Sequence, residues 1–271
     1  MENIYTYKLL DWIRIENLDF GELSINPNAI HLLENNPEKI NWSGLSSNEN
    51  AIHILENNPG RIWWWYLSRN SSAIQVLIKN PEKVDHYNFS KNLSSIPLLE
   101  LYPETINWIG LSHNPNAIHL LEKNLEKIDW VYLSLNPNAI HLLEKNLEKI
   151  DWVYLSLNPN AIHILEKNEK SINWNNLSLN PNAIHILEKN EKSINWNNLS
   201  KNSNAIHMLK KNPEKINWSY ISGNPSIFEK VINYKYLNER MDVIREELIM
   251  KSMHPRRLER WLELGGELDD F

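Results

Sequence analysis

The chain of 271 residues contains no cysteine, which excludes disulfide bridges and cysteine-ligated zinc. Only seven residues are glycine, and no glycine-rich phosphate loop, HExxH or GxSxG pattern is present. No apolar run approaches the roughly 18 residues that a membrane-spanning helix needs, and the first residues lack the apolar stretch of a signal peptide. These absences predict a soluble, intracellular protein without membrane contact, cofactor, metal or enzymatic activity.

Positive charge is also scarce. Lysine and arginine number 28 against 34 aspartate and glutamate, so the formal net charge is −6. Proteins that bind the phosphate backbone of nucleic acids depend on clustered lysine and arginine side chains. We therefore expect no nucleic-acid partner.

The chain is rich in internal repetition. The 22 residues LSLNPNAIHILEKNEKSINWNN, at 155–176, are followed directly by an identical copy at 177–198. Alanine, isoleucine, leucine, tryptophan, serine and asparagine each recur at this same spacing in most of the copies. Because one slipped copy would misalign every later contact, each copy is predicted to be one structural unit stacked on the next.

Each unit is predicted to hold two short helices. An Asn-Pro start at Asn136, followed by apolar residues on one helical face, predicts helix A, about ten residues long with a left-handed cap at Asn146. Helix B follows an Asn or Asp and carries Trp152 and Leu155 on one side. The alternative is a strand in place of helix B, as in a leucine-rich repeat with an asparagine ladder. The low strand propensity of this segment favours the helix.

The sequence thus predicts an all-α solenoid of about ten two-helix units. Residues 1–22 are predicted to be a degenerate N-terminal capping unit, 23–225 the tandem repeats and 226–271 a helical C-terminal cap. Units stacked about 8–10 Å apart would give an elongated array on the order of 80–100 Å long. In one irregular copy, helix A is expected to restart near Ser95, so that Pro97 lies in its first turn.

A column of histidines is the first candidate for binding a partner. It includes His119, His141, His163 and His185, which are predicted on the outer face of helix A. Stacked helices are too far apart for these side chains to share a metal ion, whose nitrogen ligands lie about 2.0–2.1 Å away. The column is either a solvated face inherited by duplication or a ridge that binds a partner.

Trp63, Trp65 and Tyr66 form the second candidate, because no other copy has tryptophan in the columns of Trp63 and Trp65. Tryptophan and tyrosine are enriched in binding hot spots, although misfit packing beside the irregular copy is an alternative. Arg69 belongs to a column that varies from copy to copy, as a binding surface should while the core repeats. The regular tryptophan column, in contrast, is assigned to the core.

The motif NPNAIHLLEKN, followed by EKIDW and LS, resembles repeat proteins that large DNA viruses of amoebae, the mimivirus and marseillevirus groups, encode in many copies. The terminal MHPRRLERWLELGGELDDF is similar to tails of proteins from those viruses. The resemblance implies a viral origin and a place in the host cytoplasm, the viral factory or the virion, but no site residues.

Together these patterns predict a non-enzymatic repeat scaffold of a giant virus that binds an unidentified viral or host protein. A structural component of the virion or viral factory is the alternative. The sequence leaves the oligomeric state open.

Overall fold

The computed structural model describes residues 4–264, which belong to two compact units. The larger unit, Leu9–Phe228, holds the repeats. Its α-helices are α1 (Phe20–Leu23), α2 (Ile30–Glu34), α3 (Trp42–Ser47), α4 (Ile52–Glu56), α5 (Trp64–Leu67), α6 (Ile74–Ile78), α7 (His86–Lys91), α8 (Ile96–Leu101), α9 (Trp108–His113), α10 (Ile118–Glu122), α11 (Trp130–Ser134), α12 (Ile140–Glu144), α13 (Trp152–Leu155), α14 (Ile162–Lys167), α15 (Trp174–Leu177), α16 (Ile184–Lys189), α17 (Trp196–Lys201), α18 (Ile206–Lys211) and α19 (Trp218–Ser222).

The odd-numbered helices are the B helices and the even-numbered ones the A helices, so the all-α solenoid is confirmed and the strand alternative for helix B is wrong. Short 3-10 helices connect them at Pro37–Lys39, Pro59–Arg61, Ser71–Ala73, Pro81–Lys83, Pro103–Thr105, Pro115–Ala117, Leu125–Lys127, Leu147–Lys149, Glu169–Ser171, Glu191–Ser193 and Pro213–Lys215. Two more lie at the ends, Ile15–Asn17 before α1 and Pro225–Ile227 after α19. Numbered from its B helix, each repeat therefore reads helix B, turn, helix A, 3-10 turn.

Helix A is shorter than the ten residues predicted. Asn136 caps a turn instead of the helix, because its Oδ1 accepts the N–H of Asn138 at 3.0 Å, and α12 begins only at Ile140. Asn146 has φ −138° and ψ 51°, which is not left-handed. Its Nδ2 donates to the carbonyl of Leu142 at 2.9 Å, so the side chain satisfies a free carbonyl at the end of the helix.

The irregular copy folds as predicted. Helix α8 follows Ser95, and Pro97 occupies its first turn, where a missing N–H removes no helical hydrogen bond. The next B helix packs so closely on α7 that a Cβ at Gly110 would lie 2.3 Å from the carbonyl oxygen of Tyr87. Only glycine fits at this contact.

Leucine, not tryptophan, fills the centre of each repeat. Leu133, Leu155 and Leu177 are fully buried, as are the alanines that precede the A helices. The tryptophans are only half-buried, which corrects their assignment to the core. The indole of Trp130, for example, packs beneath the ammonium of Lys149, which lies 4.4 Å from the ring centroid.

A buried asparagine ladder joins successive repeats. The Nδ2 of Asn158 donates to the carbonyls of Ser134 (3.0 Å) and Asn136 (2.9 Å) in the preceding repeat, while its Oδ1 accepts the N–H of Asn160 (3.0 Å). Asn158 is fully buried, and the same bonds recur from repeat to repeat. The sequence suggested such a ladder only for the strand alternative, but here it links helical repeats.

A serine ladder runs beside it. The Oγ of Ser156 donates to the carbonyl of Trp152 at 2.7 Å. It also accepts, at 3.0 Å, the N–H of Asn173, the residue that precedes the next B helix. Every buried serine of this column is satisfied in this way, so both ladders fix the register between repeats without leaving unpaired polar groups.

The two ladders close on themselves. Asn26 donates to the carbonyls of Ser222 (2.9 Å) and Asn224 (3.0 Å), and the N–H of Asp19 donates to the Oγ of Ser222 (2.9 Å). The same bonds join all the remaining pairs of neighbouring repeats, so the tenth repeat stacks on the first. The repeats form a closed ring with ten B helices, and the elongated array predicted above is wrong.

Residues predicted to cap an open array are arranged differently. Helix α1 is the B helix of the first repeat, and after α19 the chain enters a strand instead of a tenth helix A. There are thus nine complete repeats and one half-repeat, and neither end of the ladder is left free. Closure requires each repeat to turn by about a tenth of a circle, and the closest packing between repeats is that of B helices, such as α7 with α9.

The smaller unit comprises the rest of the described chain. It holds all but one residue of each strand of a two-stranded sheet, β1 (Tyr5–Leu9) paired with β2 (Phe228–Ile232), and the helices α20 (Tyr234–Ser252) and α21 (Pro255–Glu263). The helices of the predicted C-terminal cap are therefore present, but a strand precedes them, and the end of that prediction, 265–271, lies outside the described residues. No helix within 4–264 is long and apolar enough to cross a bilayer.

Candidate functional site

The histidine column lies on the A helices and forms a ladder with glutamates. In six of its histidines the imidazole Nε2 lies 2.8–3.0 Å from a carboxylate oxygen of the preceding repeat, in the pairs Glu34–His53, Glu100–His119, Glu122–His141, Glu144–His163, Glu166–His185 and Glu188–His207. The pairs are about half exposed, so each contributes little stability. The sequence did not predict these partners, because each glutamate lies 19 residues before its histidine, on the preceding helix A. Within 4–264 no three metal-ligating side chains converge.

One B helix lacks the cap that the others have. Nine of the ten B helices follow an Asn or Asp whose side chain accepts a backbone N–H of the first turn; the nine are Asp19, Asn41, Asp85, Asn107, Asp129, Asp151, Asn173, Asn195 and Asn217. Trp63 occupies this position before α5 and makes no such bond. Loss of an N-cap typically costs about 1 kcal/mol.

The indole that replaces the cap is not buried in compensation. Trp63 is 57% exposed and Trp65 is 49% exposed, whereas Tyr66 is half-buried and packs edge-on against Trp65 at 4.8 Å between ring centroids. We call these three residues the tryptophan patch. Misfit packing into the ring does not explain side chains that point so largely to solvent.

An open pocket of about 660 Å³ adjoins the patch. It is lined by Asn41, Trp42, Ser43, Gly60, Arg61, Ile62 and Trp63. Gly60 stands where several other repeats have glutamate, and a Cβ there would meet nothing within 4 Å. Packing therefore does not require this glycine, and the pocket wall lacks the carboxylate that a glutamate would place there.

Contacts between non-adjacent repeats identify the inner, concave side of the ring. The rings of Tyr87 and Tyr132 lie 6.4 Å apart although a whole repeat separates their helices. Across the closure, the Nζ of Lys201 lies 3.0 Å from a carboxylate oxygen of Glu22, with α19 between their helices. Side chains converge in this way only on the inside of a curved array, so this face of the B helices lines the concave side.

Three basic side chains meet there, and we call Arg69, Lys91 and His113 the basic triad. They occupy one position in consecutive repeats. Burial lowers the pKa of His113 to about 4, helped by the positive charges of Lys91 and Arg69, and burial followed by Arg69 lowers the pKa of Lys91. The buried Nδ1 of His113 has no hydrogen-bond partner.

Tyrosines border the triad. The Nζ of Lys91 lies 5.1 Å from the ring centroid of Tyr87. Burial, and after it the neighbouring Tyr132, raises the pKa of Tyr87 to about 12. The sequence singled out the column of Arg69, Lys91 and His113 as a variable surface but did not predict that these side chains act on one another, because residues 22 apart in an open array need not converge.

Comparison of the chain with protein-family models, with curated proteins and with solved structures finds no match. The histidine ladder, the tryptophan patch and the basic triad are therefore the features from which a function is inferred.

Proposed function

We propose that the protein is a non-enzymatic scaffold whose ring binds a protein partner through the tryptophan patch. The observation that carries this proposal is Trp63, which replaces a stabilising cap and yet remains more than half exposed. A side chain that lowers stability without filling the core is explained by a use outside the core. Tryptophan is one of the residue types enriched in the hot spots of protein interfaces.

The ring suits this role because it holds the patch on a fixed frame. Satisfied serine and asparagine ladders bind the repeat of α5 to both neighbours. An interface presented by rigid elements loses less conformational entropy on binding. The pocket beside Trp63 can accept an apolar side chain, and Arg61 on its rim supplies a cation for an acidic group.

The histidine ladder is the other candidate for contact with a partner. His119, His141, His163 and His185 present half-exposed, evenly repeated pairs. A repeated ridge suits a long or repetitive partner, whereas the patch suits one specific side chain. Substitutions distinguish the two surfaces.

The test is affinity capture from infected cells with three forms of the chain and quantitative mass spectrometry. One variant carries Trp63→Asn and Trp65→Ser, which restores the residues of the preceding repeat; the matched control carries His141→Ala and His163→Ala. We expect a protein that the wild type and the histidine variant retain and the tryptophan variant loses. Equal retention by the tryptophan variant, with its fold verified by circular dichroism, would contradict the proposal.

The resemblance of the repeat motif supports a giant-virus origin as part of this proposal. Mass spectrometry of purified particles checks the location. High copy number in virions would favour the alternative role of structural component over that of a scaffold in the host cytoplasm or viral factory.

A further inference from the structure

The basic triad places two cations, Arg69 and Lys91, beside the imidazole of His113, whose pKa of about 4 leaves it neutral at pH 7. Arg69 is exposed, while Lys91 and His113 are half-buried against the neighbouring B helices. The three side chains come from α7, α9 and the end of α5 onto the concave face, and both Arg69 and Lys91 act electrostatically on His113. Arg69 is therefore the solvent-exposed edge of a partly desolvated basic surface.

No carboxylate balances this charge. None of the ion pairs among residues 4–264 involves the triad, and no acidic group is among the charges that shift the pKa of Lys91 or His113. Lys201, at the same position of a later repeat, shows the contrast, because Glu22 pairs with it at 3.0 Å. Partly buried charge without a partner is unfavourable, and binding an anion relieves it.

The composition of the triad selects the anion. Arg69 and Lys91 supply two positive charges, and the imidazole of His113 adds a hydrogen-bonding nitrogen that has no partner in the protein. A guanidinium binds planar or tetrahedral oxyanions through two parallel hydrogen bonds. A carboxylate would leave one cation unpaired, whereas a dianion matches both.

We propose that the basic triad is a binding site for the dianionic phosphate group of a phosphomonoester. The tyrosines at its border, Tyr87 and Tyr132, add hydroxyl groups and ring surface for the group that carries the phosphate. The phosphate site stands on the triad alone. Only the extension that the carrier is a phosphorylated side chain of a protein rests on the proposed function.

Leucine variants test the site with little risk to the fold. Leu135, Leu157 and Leu179 occupy the same position in the next three repeats, so Arg69→Leu and Lys91→Leu place a side chain that this position accepts. Lys201→Leu is the matched control, because it removes a cation of the same register that already has a carboxylate partner.

The experiment is isothermal titration calorimetry of the full chain with inorganic phosphate and phenyl phosphate, with acetate as the monoanion. We expect saturable one-site binding of both phosphates and none of acetate. Arg69→Leu and Lys91→Leu should each weaken phosphate binding by about tenfold to a hundredfold, and Lys201→Leu should change it by less than about twofold. No saturable binding, or binding unaffected by the triad variants, would overturn the inference.

A phosphoserine peptide and its unphosphorylated form identify the carrier. Tighter binding of the phosphopeptide than of phenyl phosphate assigns the carrier to a protein, and equal binding assigns it to a small phosphomonoester. The two proposals also fail separately. Phosphate binding without protein capture overturns the proposed function alone, and protein capture without phosphate binding overturns the phosphate site alone.

Discussion

Two arcs of the ring share one core and present different surfaces. The irregular arc, 64–129, and the duplicated arc, 130–195, each contain three repeats with the same buried serine, asparagine and leucine ladders. On the concave side the irregular arc carries the basic triad, whereas the duplicated arc carries Leu135, Leu157 and Leu179 at the same position. Trp65 and Tyr66 belong to the irregular arc, and Trp63 directly precedes it.

The comparison shows that the concave side chains can differ between repeats while the buried ladders stay the same. A buried asparagine that satisfies three groups tolerates no substitute, so both arcs keep it. The concave position holds arginine, lysine, histidine or leucine in different repeats, because its side chain makes none of the ladder hydrogen bonds. Specialisation is thus concentrated in one arc, while the other preserves near-identical copies.

The largest effect is expected where the arcs are alike. Asn158→Ala in the duplicated arc and Asn92→Ala in the irregular arc each remove three hydrogen bonds from buried groups. Each substitution should lower the free energy of unfolding by about 3 kcal/mol or more, measured by urea unfolding with tryptophan fluorescence. A much smaller loss for Asn92→Ala would show that the ladder is looser in the irregular arc.

The next effect depends on pH and belongs to the irregular arc alone. The folded chain holds the pKa of His113 near 4, below the ordinary value of 6.5, so the unfolded chain takes up the proton first. This contribution to stability is complete above pH 6.5 and is lost as the pH falls towards 4. The free energy of unfolding should decline by up to about 3 kcal/mol over this interval.

His113→Leu, which copies Leu135 of the duplicated arc, supplies the control for this prediction. Lys91 and Arg69 act electrostatically on His113 from the two preceding repeats, and the substitution leaves both in place. The variant should therefore lose this part of the pH dependence in urea unfolding at each pH. An unchanged dependence would assign it to other groups.

Exchanging the residue types that precede α5 and α13 should change the free energy of unfolding by about 1 kcal/mol, in opposite directions for the two helices. Trp63→Asn restores the missing cap of α5 and should raise the free energy of unfolding. Asp151→Trp removes the bond from the N–H of Tyr154, now 3.0 Å long, and should lower it. If Trp63→Asn proved destabilising in urea unfolding, the indole would have a structural role and the argument for binding would weaken.

The smallest effect is expected on the outer ladder. His141→Ala removes one half-exposed pair with Glu122 and should change the free energy of unfolding by no more than about 0.5 kcal/mol. Glu122→Ala should have the same effect within error. A loss above about 1 kcal/mol in thermal or urea unfolding would mean that the ladder helps to hold the ring together.

Within one unit the sequence predicted the helices but not every detail, since helix A is shorter than expected and the tryptophan column is only half-buried. The columns predicted the two helices, the position of Pro97 in the first turn of α8, and the exceptional nature of Trp63 and Trp65. Closure could not be predicted, because the turn between repeats depends on how closely B helices pack relative to A helices. The pairing of Lys201 with Glu22, and the convergence of the basic triad, follow from that curvature and have no local signal.

Closure also fixes the number of repeats. An open solenoid can gain the next tandem copy, such as the one that repeats 155–176 at 177–198, without altering any existing joint. In the ring, one added copy would oblige every joint to rotate less, and the bonds of Asn26 to Ser222 and Asn224 would open unless all adjusted together. Selection would therefore act against replication errors that add or remove a whole repeat. The protein would change by substitutions within a constant number of repeats.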